Sequence, residues 1–186
     1  MIKFVNVSKS YDKKIIDKFN YEFKDGISYG IYGESGIGKS TLINLILDLT
    51  QPDSGQIIRD FNKASVVFQE DRLINELSAY KNLKLISDDE QQIYKALKAF
   101  NITDYNKKIS EFSGGMKKRV ALARALFFEG DILIMDEPFS GIDPYNKIAA
   151  ANNLKKVFAD KTIIIVSHNS DDFDLFDIDA VNLIKL

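Results

Sequence analysis

The chain contains no cysteine. That excludes a disulfide framework and a thiolate metal site, and it is compatible with a cytoplasmic setting. Only three prolines occur among 186 residues, so no proline-rich linker divides the chain, and one domain spanning residues 1–186 is predicted. Long apolar runs are missing as well. Stretches such as "ILIM" and "TIIIV" fall far short of the roughly 18 residues of a membrane-spanning helix. The opening "MIKFVNVSKSYDKK" alternates like a strand and lacks a signal peptide's apolar core, so a protein soluble by itself is expected. Nor is there an excess of charge: 25 basic against 27 acidic side chains give a formal −2, which supplies no general basic field for nucleic acid. Any anion site must be local.

What is present is a change of pattern along the chain. Residues 2–7 and about 15–23 read as strands with mixed polar positions, as in an antiparallel sheet exposed on one face. Residues 27–32, 64–68, 131–136, 162–167 and 180–185 are short apolar runs separated by helical patterns, which is how buried parallel strands look in an α/β core. Residues 75–100, including "EQQIYKALKAF", read as helical and belong to an inserted α-helical lobe of about 75–128. The acidic "DDFDLFDID" reads as a helix and loop leading to the last strand. The expected fold is α/β, with a mostly parallel sheet flanked by helices, a small antiparallel β lobe and that helical lobe.

"GESGIGKST" satisfies G-x-x-x-x-G-K-[ST] and sits between a predicted strand and a predicted helix, which is the context a P-loop NTPase core requires. Gly33, Gly36 and Gly38, with Glu34, Ser35 and Ile37 between them, let the backbone curl so that successive N–H groups point at phosphate oxygens. Lys39 would reach the β- and γ-phosphates, and Ser40 would ligate Mg²⁺ beside Thr41. Further on, "DILIMDEP" puts Asp136 and Glu137 at the end of an apolar strand, the edge where ligands bind in an open parallel sheet. Adjacent strand residues point oppositely, so Asp136 is expected in the Mg²⁺ shell and Glu137 as the base that polarises the attacking water.

A third segment, "EFSGGMKKRVALARAL", carries no reactive group. Ser113-Gly114-Gly115 opens a predicted helix on which Met116, Val120, Ala123 and Phe127 share an apolar face. Lys117, Lys118 and Arg119 load its first turn with positive charge, where the helix macrodipole favours acids. Positive charge on a positive end predicts an external anion.

Taken in order, these motifs resemble the ATP-binding cassette (ABC) ATPases over nearly the whole chain. Tyr11 stands where that family places an adenine-stacking aromatic. Gln69 in "VVFQED" resembles the Q-loop glutamine near Mg²⁺, and "FSGGMKKR" resembles the signature. "ILIMDEP" resembles the Walker B strand, "SGID" at 140–143 the D-loop, and His168 in "IIIVSHN" the switch histidine that senses the γ-phosphate. The resemblance implies head-to-tail pairing with a second ABC ATPase subunit, alike or different, each ATP lying between one chain's phosphate loop and the other's Ser113–Met116 segment. It also implies integral membrane permease subunits and a location on the cytoplasmic face of the membrane through them. "VFQEDRLINELSAYKNL" is similar to importer cassettes of the nitrate, sulfonate and taurine group.

Two departures stand out. Met116 replaces the usual glutamine and cannot complete a capping box. The chain is also short for the family, with the losses expected between Thr41 and Gln69 and between Gln69 and Ser113. The alternatives are a non-transport cassette of translation or DNA repair, a kinase or GTPase on the same phosphate loop, and a cassette that binds ATP without turnover. The first usually carries a fused cassette or coiled-coil insertion, the second lacks the Ser-Gly-Gly helix and would need N-K-x-D for guanine, and Glu137 and His168 argue against the third.

Overall fold

The computed structural model describes residues 1–127 and 130–186. Two sheets make up the strand content. β1 (Ile2–Ser10), β2 (Lys14–Phe23) and β4 (Ser54–Arg59) form an antiparallel sheet in the order β2-β1-β4. β3 (Ser28–Tyr32), β5 (Ala64–Val67), β6 (Ile132–Asp136), β7 (Thr162–Val166) and β8 (Leu183–Lys185) form a parallel sheet in the order β5-β6-β7-β3-β8.

Side-chain alternation on the parallel strands divides the interior in two. Ile132, Ile134, Ile164 and Val166 face α1 (Lys39–Ile46) and the antiparallel sheet, in a core with Phe4, Phe23, Leu42 and Ile46. Leu133, Met135, Ile163 and Ile165 face the opposite way. They meet α2 (Ala79–Lys84), α3 (Glu90–Ala99), α4 (Gly114–Ala125) and α5 (Pro144–Val157) through Leu83, Leu97, Val120 and Leu154. β6 and β7 are buried along their whole length, as a central parallel strand covered on both faces must be.

Several expectations change. Residues 75–100, expected to be helical, hold two helices, and Asp89 starts the second by accepting from Gln92 N at 3.0 Å. β4 carries no sequence signal: its residues are exposed or half-exposed, and among the described residues it pairs with β1 alone. Residues 180–182 form a 3₁₀ turn before β8, and "DDFDLFDID" supplies the short α6 (Asp171–Asp174). The expected end of the helical lobe at residue 128 lies outside the described residues. Among the described residues no helix is long and apolar enough to cross a membrane.

The antiparallel sheet also braces α1. Arg59 of β4 donates to the carbonyls of Leu45 at 2.6 Å and Ile46 at 3.0 Å, satisfying acceptors that a helix C-terminus leaves open and placing positive charge at its negative end.

Candidate functional site

β3 delivers the chain into the phosphate loop and α1 carries it away. Gly36 and Gly38 have φ of +77° and +123°, a region side-chain-bearing residues avoid, and a Cβ on Gly38 would stand 2.6 Å from Ile15 Cγ2. No side chain caps α1 at Gly38, and its first turn contains no acid. The leading amides and the helix's partial positive charge are therefore directed into the loop. Lys39 Nζ donates to the carbonyls of Gly33 at 2.8 Å and Glu34 at 2.9 Å, which folds the ammonium back over the same hollow.

Asp136 is the last residue of β6 and follows Ile132 and Ile134 on the face toward α1, which brings its Oδ2 within 2.9 Å of Ser40 Oγ. The carboxylate is 7 % exposed. Burial pushes its pKa up, against the lowering by the Ser40 hydroxyl and the Lys39 and Lys118 charges; neighbouring Glu137 pushes it up as well. Two hard oxygen donors side by side suit Mg²⁺, which takes few protein ligands and completes its shell with water and phosphate. Among the described residues no group of three or more His, Cys, Asp or Glu could hold a metal ion.

Glu137 departs from simple strand alternation. The strand ends at Asp136, and Glu137 turns into the left-handed region at φ +47°, uncommon for a non-glycine residue, while its N–H donates to Val166 O at 2.9 Å. The turn lets both acids line one cleft instead of opposite faces. Glu137 Oε2 lies 2.8 Å from His168 Nδ1 and 3.5 Å from Ser167 Oγ. Behind them is a buried group that sequence reasoning missed. Ser167 donates to Asp172, whose other carboxylate oxygen pairs with Lys147 of α5. A serine between a buried strand and the single histidine was the only cue.

The cleft has a volume of about 390 Å³, within the range of small-molecule sites. Ser35, Gly36, Gly38, Lys39, Ser40 and Thr41 form one wall. Gln69, Asp136, Glu137, Ser140 and His168 form the other, and Tyr11, 58 % exposed on the β1–β2 turn, stands at the mouth beside Ile15. Gly33, Glu34 and Ile37 line a second hollow behind the loop with Tyr32 and Lys185, and His168 borders both. Of the expected phosphate-binding residues, these three thus line the second hollow and not the main cleft.

Ser113–Met116 are not among the residues that line the cleft. Ser113 and Gly114 are exposed, and Ser113 caps α4 by accepting from Met116 N at 3.3 Å. That half of the capping box uses a backbone N–H, so Met116 preserves it, and its side chain packs against the helical-lobe core. The two glycines differ. A Cβ on Gly114 would meet nothing within 4 Å, whereas one on Gly115 would stand 2.3 Å from Gly141 O. Gly115 therefore serves close packing against the loop at 140–143, and Gly114 alone leaves backbone open to an incoming group. The basic first turn also reads differently in the structure. Lys118 donates to Gln69 O at 2.6 Å, and Arg119 donates to Phe100 O at 2.8 Å and Asn101 O at 2.7 Å. Two of the three cations thus bind internal carbonyls rather than an external anion.

Phosphate loop, paired acids and histidine around one cleft on a parallel sheet define a P-loop nucleotide-binding cassette. The family model for ABC transporters matches residues 16–140. The bicarbonate transport ATP-binding protein CmpD of Synechococcus elongatus is 33% identical over 192 aligned positions, covering 90% of this chain and 69% of the relative. Among solved structures, the ATP-binding cassette MJ0796, in a dimeric post-hydrolysis state bound to ADP and Pi, superposes with a TM-score of 0.86 at 27% identity, covering 100% of this chain and 94% of that one. A bacterial Atm1-family ABC exporter with ATP bound gives a TM-score of 0.83 at 26% identity, covering 92% of this chain and 35% of that one. The chain belongs to the ABC transporter family, as one of its ATP-binding proteins.

Proposed function

We propose that this chain hydrolyses ATP with Mg²⁺ in a cleft completed by a second cassette, and that the cycle drives transport through separate membrane subunits. Residues 1–186 act as the single ATPase domain. In this reading Lys39 and the α1 amides hold the β- and γ-phosphates, while Tyr11 stacks on the base. Ser40, Asp136 and Gln69 hold Mg²⁺, whose charge would offset that of the phosphates. Glu137 orients and deprotonates the attacking water, and His168 positions Glu137 and contacts the γ-phosphate. Ser113 and Gly114 of the second cassette close the site from the far side.

The observation that carries this reading is a separation. Lys39, Ser40, Asp136, Glu137 and His168 converge on one cleft, while the Ser113 cap sits exposed away from it. Phosphoryl transfer needs charge neutralised on every side of the γ-phosphate, and one chain offers only one side. That the MJ0796 cassette is dimeric with ADP and Pi bound supports the pairing. Similarity to a bicarbonate transport ATP-binding protein supports transport of a small anion as the driven process. The test is turnover per chain against protein concentration. It rises as chains pair, and a constant value down to monomeric dilution would rule out shared sites. Identifying the proteins that co-purify from native membranes checks for the membrane subunits.

A further inference from the structure

The Gln69 loop is tied to α4 by buried charge. The Lys118 side chain is 6% exposed, and its ammonium donates to Gln69 O at 2.6 Å and Phe68 O at 3.3 Å and lies 2.9 Å from Asp71 Oδ1. The two carbonyls accept hydrogen bonds from the ammonium, and Asp71 Oδ1 faces it as a charge partner. Asp71 Oδ1 has no hydrogen bond among the described residues, so the Lys118 charge is what compensates it. Further along the same helix, Arg124 donates to Asp71 O at 2.9 Å and Arg72 O at 2.6 Å. Four main-chain carbonyls between residues 68 and 72 are therefore held by one helix.

We propose that Lys118 is a positioning residue that locks the Gln69 loop to the first turns of α4, so that presentation of Ser113 and Gly114 to a second cassette depends on where Gln69 sits. Gln69 lines the chain's own cleft, and Ser113 heads the helix five residues before Lys118. Moving Gln69 without moving α4 would strip a buried ammonium of its acceptors, which is far less favourable than moving both together. Lys118 thus links the two half-sites that one chain contributes to two different nucleotides. The inference rests on the shared-site reading above.

The experiment uses the full chain in a Glu137→Gln background and compares two quantities. Affinity of dilute monomer for a fluorescent ATP analogue reports the chain's own cleft, and ATP-driven pairing by sedimentation reports the exposed cap. Lys118→Met removes the ammonium and keeps the apolar stem. Asp71→Asn with Lys118→Gln removes the ion pair without leaving a lone buried charge, and it decides the matter if the single variant does not fold. Pairing is expected to weaken about tenfold in either variant, with monomer affinity within about twofold of the parent and pairing restored by Lys118→Arg. Pairing unchanged in the double variant, or pairing and nucleotide affinity falling together, overturns the role of Lys118 alone. Absence of pairing in the Glu137→Gln parent overturns the shared-site reading and this inference with it.

Discussion

Helix α1 begins at Gly38 with no side chain over its first amides, whereas α4 begins under Ser113, which caps its own helix by accepting from Met116 N. The first opens into a cleft that already holds Lys39, Ser40 and two carboxylates; the second stands exposed, and two of its three cations are bound to carbonyls of its own chain. Both are helix starts with glycine, and both were expected to meet phosphate. The difference teaches that a helix N-terminus is an anion site only so far as its surroundings leave its charge unanswered. α1 meets a cleft already lined with a lysine, a serine and two acids, and α4 offers the Ser113 hydroxyl and the open edge of Gly114.

The sharpest break in this comparison is Glu137→Gln. Removing a general base is expected to lower turnover about 10³-fold, while nucleotide binding by the α1 side persists; a turnover assay beside a binding titration separates the two. Next comes the pair of glycines on α4. Gly115→Ala forces a methyl against Gly141 O, and overpacking of about 2 kcal/mol should lower the Tm by roughly 4–8 °C. Gly114→Ala meets open space, so its Tm should be no lower, yet ATP-driven pairing should weaken; thermal melts and sedimentation of both variants sharpen which glycine faces outward. Smaller again is Ser113→Ala, which removes a helix cap worth about 1 kcal/mol, visible as a lower denaturation midpoint.

The smallest expected effect concerns Asp136. Burial raises its folded pKa above the unfolded value, so the folded state binds the proton more tightly, and stability falls as pH rises from the unfolded pKa through the folded one. Asp136→Asn should therefore raise the neutral-pH Tm of the nucleotide-free protein, with the gain vanishing toward acid pH. Melting curves across pH check the sign.

Much of this was legible in the sequence because the signal was local. The phosphate loop needs glycines at fixed spacing, and β6 and β7, buried on both faces, show unbroken apolar runs. The three-way division into parallel sheet, antiparallel lobe and helical lobe followed from where those runs fell. What escaped depends on contacts distant in sequence. β4 has almost no buried face to imprint a pattern. The direction of Glu137 was misread because a left-handed turn, set by its bond to Val166 O, overrides alternation. Lys118 and Arg119 looked like free cations because their carbonyl partners are main-chain atoms, which no residue type announces. The helix restart at Asp89 inside 75–100 carried a local capping signal that the reading of the stretch as simply helical did not use.

The grip of Arg59 on the tail of α1 has a mechanical consequence. Through it the antiparallel sheet holds the far end of the helix that starts at the phosphate loop, while the same sheet carries Tyr11 on its β1–β2 turn. The sheet that carries the tyrosine is thus hydrogen-bonded to the helix that carries the phosphate loop, and Arg59 is the tie between them.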